Sequence, residues 1–248
     1  MILFDDVSRA FNGRVVLNHV SFEVEKGETF VIIGQSGTGK TVTLKHIAGL
    51  LEPDSGDVIV SGKRMNGASR RVREELRNRM GVVFQSGALI NWMTVGDNVA
   101  LPMVEHKMYK KDEIDKRVDK YLGILHLLEA KDRMPADISG GMRKRASLAR
   151  VLVKNPEIIL YDEPTSGLDP VMSCLISELI RQTQRDYGVT SVVVTHDMNS
   201  AYQIADRIAM LYRGEIIQCD VPEKIKHSDN PIVSQFVNGE LSGPIRVY

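Results

Sequence analysis

Long hydrophobic runs are missing from this sequence. The longest apolar stretches fall well short of the roughly 20 residues a helix needs to cross a bilayer, so the chain is expected to be soluble on its own. Cysteine is scarce: Cys174 and Cys219 are the only two. They are far apart and in no metal-ligand spacing, which points to reduced thiols in a reducing compartment. Net charge is lacking as well, because 32 Lys and Arg balance 32 Asp and Glu. Global attraction to nucleic acid or to an anionic membrane is therefore not implied, and only local patches could supply it. Met1-Ile-Leu-Phe4 runs straight into Asp5-Asp6 without a signal pattern, which favours a cytoplasmic location. With 248 residues the chain can bury a large core, as one domain or one domain with subdomains.

What is present is concentrated between Phe30 and Leu51. Phe30-Val-Ile-Ile33 is an apolar, β-branched run. It leads into Gly34-Gln35-Ser36-Gly37-Thr38-Gly39-Lys40-Thr41 and then, through Val42, into a helix expected over Thr41–Leu50. The spacing is G-x-x-x-x-G-K-[ST], a phosphate-binding loop. Phosphate oxygens need several N–H donors converging on one point, so the backbone must curl tightly, and Gly34, Gly37 and Gly39 permit that at little steric cost. Amides at the start of the helix face the anion, and the helix dipole favours its charge. Lys40 suits the β- and γ-phosphates, and the Thr41 hydroxyl suits Mg²⁺.

Around this stretch the chain reads as α/β. Short strands are expected at Leu3–Val7, Val15–Leu17, Val20–Val24 and Asp57–Val60, with Asn12-Gly13 as a turn. They suggest an antiparallel sheet attached to a mainly parallel core. Ser69–Arg79 is an arginine-rich helix, read as a solvated face because Glu74 and Glu75 interleave. Ile114, Val118, Leu122, Leu125 and Leu128 lie at helical spacing in the most helical part of the chain. Residues 91–150 therefore form a helical subdomain. Residues 1–90 and 151–218 form the β subdomain and core, and 219–248 form C-terminal helices and a tail, all within one domain.

Four further stretches carry chemistry. Ile158-Ile-Leu-Tyr161 delivers Asp162 and Glu163 to the carboxyl end of a buried strand, where parallel sheets bind ligands. Asp162 suits the Mg²⁺ shell, and Glu163 suits a general base for an attacking water. Ser139-Gly140-Gly141 opens a helix and is a second anion-binding end. One nucleotide cannot readily use two such ends so far apart in sequence, unless the second comes from another copy of the chain. His196 ends the strand Val192-Val-Val-Thr195, and Gln85 ends the strand Gly81–Phe84.

Taken together these stretches resemble the ATP-binding-cassette ATPases over nearly the whole chain. The order is the family's: phosphate loop, Q-loop Gln85, signature Ser139-Gly140-Gly141, Walker B Asp162-Glu163, D-loop Ser166-Gly-Leu-Asp169 and switch His196. The resemblance implies an α/β fold with a P-loop NTPase (RecA-like) core, an antiparallel β subdomain and a helical signature subdomain. It also implies a head-to-tail dimer that sandwiches two ATP molecules with Mg²⁺. Glu163, His196, Gln85 and Lys40 would then serve catalysis, and Thr41, Gln85 and Asp162 the metal. Nucleotide contacts would come from Phe11 under the adenine, from Gly34 through Val42, and from Ser139, Gly140, Gly141 and Asp169. Met142 departs from the Gln that most relatives carry.

Three features are similar to a narrower branch, the ATPase subunits of MCE-associated (Mla-type) lipid transporters: Ser139-Gly-Gly-Met142 before a basic, Ala-containing helix; Phe84-Gln-Ser-Gly-Ala-Leu89 continuing to Pro102; and the tail Gln235–Pro244. That likeness implies phospholipid transport at the cytoplasmic face of the inner membrane. The partners would be a transmembrane permease, an MCE-domain protein and a small cytoplasmic regulator, with no nucleic acid. Leu89, Ile90, Trp92 and Met93 are either buried in the helical insertion or form a groove for the permease, with the single Trp as an anchor. The tail's Ile245, Val247 and Tyr248 are expected to dock on the partner ATPase. The rival readings are a cassette ATPase without transport, acting as scaffold or regulator, and a nucleic-acid machine using the Arg70–Arg79 face. A single phosphate loop and a short insertion speak against the latter.

Overall fold

The computed structural model describes residues 1–246. The N-terminal alternation of apolar and polar residues forms two long strands, β1 (Ile2–Phe11) and β2 (Arg14–Val24), where the sequence suggested shorter pieces. Asn12 and Gly13 take positive φ and close the hairpin. The chain continues through β3 (Thr29–Ile33), α1 (Lys40–Ile47), β4 (Ser55–Val60), β5 (Lys63–Arg64), α2 (Arg70–Asn78) and β6 (Met80–Val83). Three helices follow, α3 (Val95–Glu105), α4 (Lys111–Ile124) and α5 (Gly140–Leu152). Then come β7 (Ile158–Asp162), α6 (Pro170–Tyr187), β8 (Thr190–Thr195) and α7 (Met198–Ile204). β9 (Arg207–Tyr212), β10 (Glu215–Asp220), α8 (Pro222–Lys226) and α9 (Pro231–Asn238) complete the described elements.

The antiparallel sheet has the order β2-β1-β4-β5, and the larger sheet the order β10-β9-β3-β8-β7-β6. In the larger sheet every pairing is parallel except β10 with β9. A central parallel strand is covered on both faces, which is why Phe30–Ile33 reads as an unbroken apolar run. Val31 and Ile33 face the helical side, while Phe30 and Ile32 face the antiparallel sheet. The rings of Phe4, Phe22 and Phe30 stack at centroid spacings of 4.6 and 5.1 Å, fastening the two sheets together.

Several expectations change in three dimensions. α1 stops at Ile47 rather than Leu50, because Gly49 takes φ 63° and turns the chain out of the helix. α4 stops at Ile124, and His126 turns left-handed at φ 53°. Leu125 remains buried, but Leu128 falls in a short turn and is 51% exposed. The arginines of α2 are largely engaged: Arg70 pairs with Glu74 and Arg73 with Glu52, while Arg77 donates to the carbonyls of Ala48 and Gly49 just past the end of α1. These pairings fit the solvated-face reading. Ile245, expected on a partner subunit, is buried on its own chain: Gln235 accepts its N–H at 2.7 Å and donates to its carbonyl at 3.1 Å. Val247 and Tyr248 lie outside the described residues.

The apolar cluster after Gln85 divides. Leu89 packs against the core, whereas Trp92 is 82% exposed. The fully buried Asn98 of α3 holds this loop by donating to the carbonyls of Ile90, Met93 and Thr94 and accepting from the Ile90 N–H. Trp92 is thus displayed on a braced loop.

Within the helical subdomain, α5 lies directly on β6. A Cβ at Gly81 would sit 2.1 Å from the Val151 Cγ1. Gly81→Val is expected to destabilise the fold by about 2 kcal/mol. Adding Val151→Ala should recover part of that loss, as urea unfolding of the single and double variants would measure.

Candidate functional site

Parallel register carries the ends of β3, β7 and β8 to one edge: Ile33 lies opposite Thr195, and Asp162 opposite Val194. The loop Gly34–Gly39 leaves β3 there. Gly34 and Gly39 have φ of 153° and 106°, and a Cβ on Gly34 would meet the Leu211 carbonyl at 2.3 Å. Only glycine allows so close an approach. α1 begins at Lys40 with no side-chain cap and no acid in its first turn, so its first amides are available to an anion.

Around this loop is a cavity of about 430 Å³ lined by Val16, Ser36, Gly37, Gly39, Lys40, Thr41 and Val42, and by Gln85, Glu163 and His196 from other elements. Lys40 is buried. Its Nζ donates to the carbonyls of Gly34 at 2.7 Å and Gln35 at 3.0 Å, and lies 3.7 Å from the Glu163 carboxylate. Burial pushes its pKa down, and the Glu163 charge opposes that. The Thr41 hydroxyl donates to Asp162 Oδ1 at 2.9 Å. Burial raises the Asp162 pKa, with the Thr41 bond working against the shift.

Glu163 is buried and left-handed, at φ 49°. Its N–H donates to the Val194 carbonyl at 2.9 Å. The two carboxylate oxygens lie 3.0 and 2.9 Å from His196 Nδ1, and the Thr195 hydroxyl donates to Oε2 at 3.3 Å. Gln85 donates to the Ser166 hydroxyl at 3.1 Å. In the sequence Ser166 stands out only as part of the D-loop motif and Thr195 only as the residue before His196, with no role of their own. The buried Lys144, whose Nζ donates to the carbonyls of Glu163 and Ser166, is not singled out there. A lysine on an apolar helix face is the one available sign of it.

Other expected site residues lie elsewhere. Ser139 caps α5, accepting from the Met142 N–H at 3.2 Å. Its own hydroxyl proton stays free to donate. Ser139, Gly140 and Gly141 do not line the phosphate-loop cavity of their own chain. Met142 packs against the helical core, which accounts for an apolar residue there. Asp169 caps α6 through the Val171 and Met172 N–H groups, each at 3.0 Å, and is likewise absent from the cavity wall. Phe11 is partly exposed at the end of β1, with the Arg9 guanidinium 4.8 Å from its ring centre. Gln35 and Thr38 line a second cavity, of about 350 Å³, on the other side of the loop.

The donors fit the groups that the motifs imply. Uncapped amides and a buried ammonium fit phosphate. Thr41, Asp162 and Gln85 are hard oxygen donors suited to Mg²⁺, too few for an all-protein cage and thus matched to a metal shared with phosphate oxygens. Among the described residues no cluster of three or more His, Cys, Asp or Glu could hold a metal by itself.

Fold and site together define a nucleotide-hydrolysing P-loop cassette. Residues 17–166 match the family model for the ABC transporter ATPase domain, and the chain belongs to that family. It is an ATPase, and ATP with Mg²⁺ is what its site takes. It is 41% identical over 239 residues to the probable ribonucleotide transport ATP-binding protein mkl of Mycobacterium tuberculosis, covering 96% of this chain and 67% of that one. It is 37% identical over 233 residues to the intermembrane phospholipid transport system ATP-binding protein MlaF of Haemophilus influenzae, covering 94% and 88%. Among solved structures it is similar to the dimeric post-hydrolysis state of the ATP-binding cassette MJ0796 bound to ADP and Pi. The TM-score is 0.83 and the identity 31%, over 90% of this chain and 99% of that one.

If Lys40 is a phosphate ligand, ATP will stabilise the fold through it. At an ATP concentration 100-fold above Kd the wild type should gain about 2.7 kcal/mol. Lys40→Ala should lose most of that gain, read as the ATP-dependent shift of the thermal unfolding midpoint.

Proposed function

We propose that this chain is the energy-supplying subunit of a transporter that moves lipid, in particular phospholipid, between membranes. It acts as a head-to-tail dimer at the cytoplasmic face of the cell membrane, beneath a transmembrane permease that works with an MCE-domain protein and a small regulator. The observation that carries the dimer is the incompleteness of the site. Ser139, Gly140 and Gly141 do not line the cavity of their own phosphate loop, which supports their serving a second copy. The likeness to MlaF over 94% of the chain supports the lipid cargo. The mycobacterial relative, named for ribonucleotide transport, supports a second reading, a ribonucleotide cargo with the same ATPase chemistry.

The residues divide the work. The loop amides and Lys40 bind the β- and γ-phosphates, and the ammonium exchanges its loop carbonyls for them. Thr41, Asp162 and Gln85 would hold Mg²⁺, which would supply charge neutralisation at the phosphates. Glu163 takes the proton of the attacking water, oriented by His196 and the Thr195 hydroxyl, and His196 reaches the γ-phosphate. Asp169 at the cap of α6 and Phe11 at the tip of β1 contribute to the nucleotide in the closed dimer. Closing the sandwich from mostly open needs roughly 5.5 kcal/mol of preference, divided between two γ-phosphates that each touch both subunits. Among the described residues no helix is long and apolar enough to span a membrane, and in this reading the permease supplies the attachment. Trp92, on its Asn98-braced loop, is the apolar anchor for it.

Glu163→Gln should bind ATP, form a stable dimer by sedimentation and turn over some 10²–10⁴-fold more slowly. Turnover at the wild-type rate would remove Glu163 from the role of base. Trp92→Ala should leave ATP turnover of the isolated subunit intact and release the permease, as co-purification from detergent extract would measure. Transport assayed with phospholipid and with ribonucleotide in reconstituted vesicles separates the two cargo readings.

A further inference from the structure

Lys144 has a place in none of these roles. It lies in the second turn of α5, just beyond the Ser139–Gly141 end, and is 6% exposed. Its Nζ donates to the Glu163 carbonyl at 3.2 Å and to the Ser166 carbonyl at 2.6 Å. Burial lowers its pKa to about 8, partly opposed by the Glu163 charge. A buried ammonium held by carbonyls rather than by a carboxylate is a poor contributor to stability. The neighbouring arginines of α5 point elsewhere, Arg143 to the carbonyls of Pro135 and Ile138 and Arg145 to those of Leu125 and His126.

What Lys144 grips is the turn that carries the base. The left-handed backbone of Glu163 persists only where neighbours over-determine it. The Glu163 N–H is tied to Val194, and its carbonyl accepts both from the Ser166 N–H at 3.2 Å and from Lys144. Ser166 also anchors Gln85 through its hydroxyl. One ammonium therefore braces both ends of a turn that sets the base and holds the Q-loop side chain. It does so from the same rigid helix whose first turn is offered to the other subunit.

We propose that Lys144 is a positioning residue that couples the two ATP sites of the dimer. It links the state of the signature end of α5 to the placement of Glu163 in its own chain. The inference rests on the sandwich reading above. When Ser139–Gly141 engage the γ-phosphate held by the partner copy, the end of α5 is fixed, and Lys144 fixes the Glu163 turn with it. Because Lys144 joins α5 to the Glu163 turn, both the engagement of Ser139–Gly141 by the partner's γ-phosphate and its loss reach the base through this contact. α5 is the element through which each nucleotide acts on the base of the other site.

The test is ATP turnover against ATP concentration for the full chain, Lys144→Met and Lys144→Arg, with thermal unfolding of each. Lys144→Met keeps the apolar stem and removes the donors. Its kcat should fall about tenfold with half-saturating ATP little changed, and its Hill coefficient should drop to about 1 from a wild-type value above it. Lys144→Arg should restore both. Wild-type kcat and cooperativity in Lys144→Met would overturn the proposal. So would a loss of turnover that tracks a lowered unfolding midpoint, or one that Arg does not restore. Sedimentation of Glu163→Gln with and without Lys144→Met keeps the two readings apart. If Glu163→Gln fails to dimerise with ATP, the sandwich itself is wrong. If both variants dimerise and Lys144→Met turns over and cooperates like the wild type, only the relay is wrong.

Discussion

Everything at this site depends on the parallel hydrogen-bond ladder of the central sheet. Neighbouring strands lie about 4.8 Å apart, and β3, β8 and β7 are consecutive in space although distant in sequence. Their shared direction makes the phosphate loop, the Thr195-His196 corner and the Asp162-Glu163 corner end at one edge. Register then decides chemistry. A slip of one residue in β7 would bring Tyr161 or Glu163 into the place of Asp162 and displace the acid pair from the cavity. The burial of Phe30–Ile33 on both faces resists such slips, because the alternating contacts to the helices and to the Phe4–Phe22 stack cannot be kept in another register.

The charges at that edge are arranged in competition. Lys40 is shared among two loop carbonyls and Glu163, while Glu163 is shared among Lys40, Thr195 and His196. A buried ion pair of this sort contributes little net stability after desolvation. Its value lies in being exchangeable, since a phosphate competes for the ammonium and leaves the carboxylate to His196 and water. The left-handed backbone of Glu163, braced by Val194 and Lys144, aims the carboxylate into the cavity while its carbonyl faces α5. The helical side of the molecule is thus mechanically connected to the base.

Much of the site could be read from the sequence because its motifs are local. A loop of glycines between an apolar strand and a helix, and polar residues at strand ends, declare their chemistry within a few positions. Gln85, Glu163 and His196 were legible for that reason and meet at one cavity. Periodicity failed where a helix stopped unannounced. Leu128 continues the spacing of Ile114, Val118 and Leu122, yet His126 turns the chain and exposes it. Ile245 has no pattern to reveal its partner, which is the buried Gln235 ten positions away. Lys144 was masked by its neighbours in a basic stretch, Arg143-Lys144-Arg145, whose three side chains go to three different sets of carbonyls.

By itself the sequence determined the class of fold, the phosphate loop, the identity of the acid pair and the family, because each is written in contiguous residues whose spacing has a physical meaning. The tertiary structure alone decided which groups touch. It joined Thr41 to Asp162, His196 to Glu163 and Lys144 to the Glu163 turn, left Trp92 on the surface and held the signature away from its own loop. Those are contacts between segments tens to more than a hundred residues apart. They follow from strand order, register and burial, which no short stretch of sequence contains.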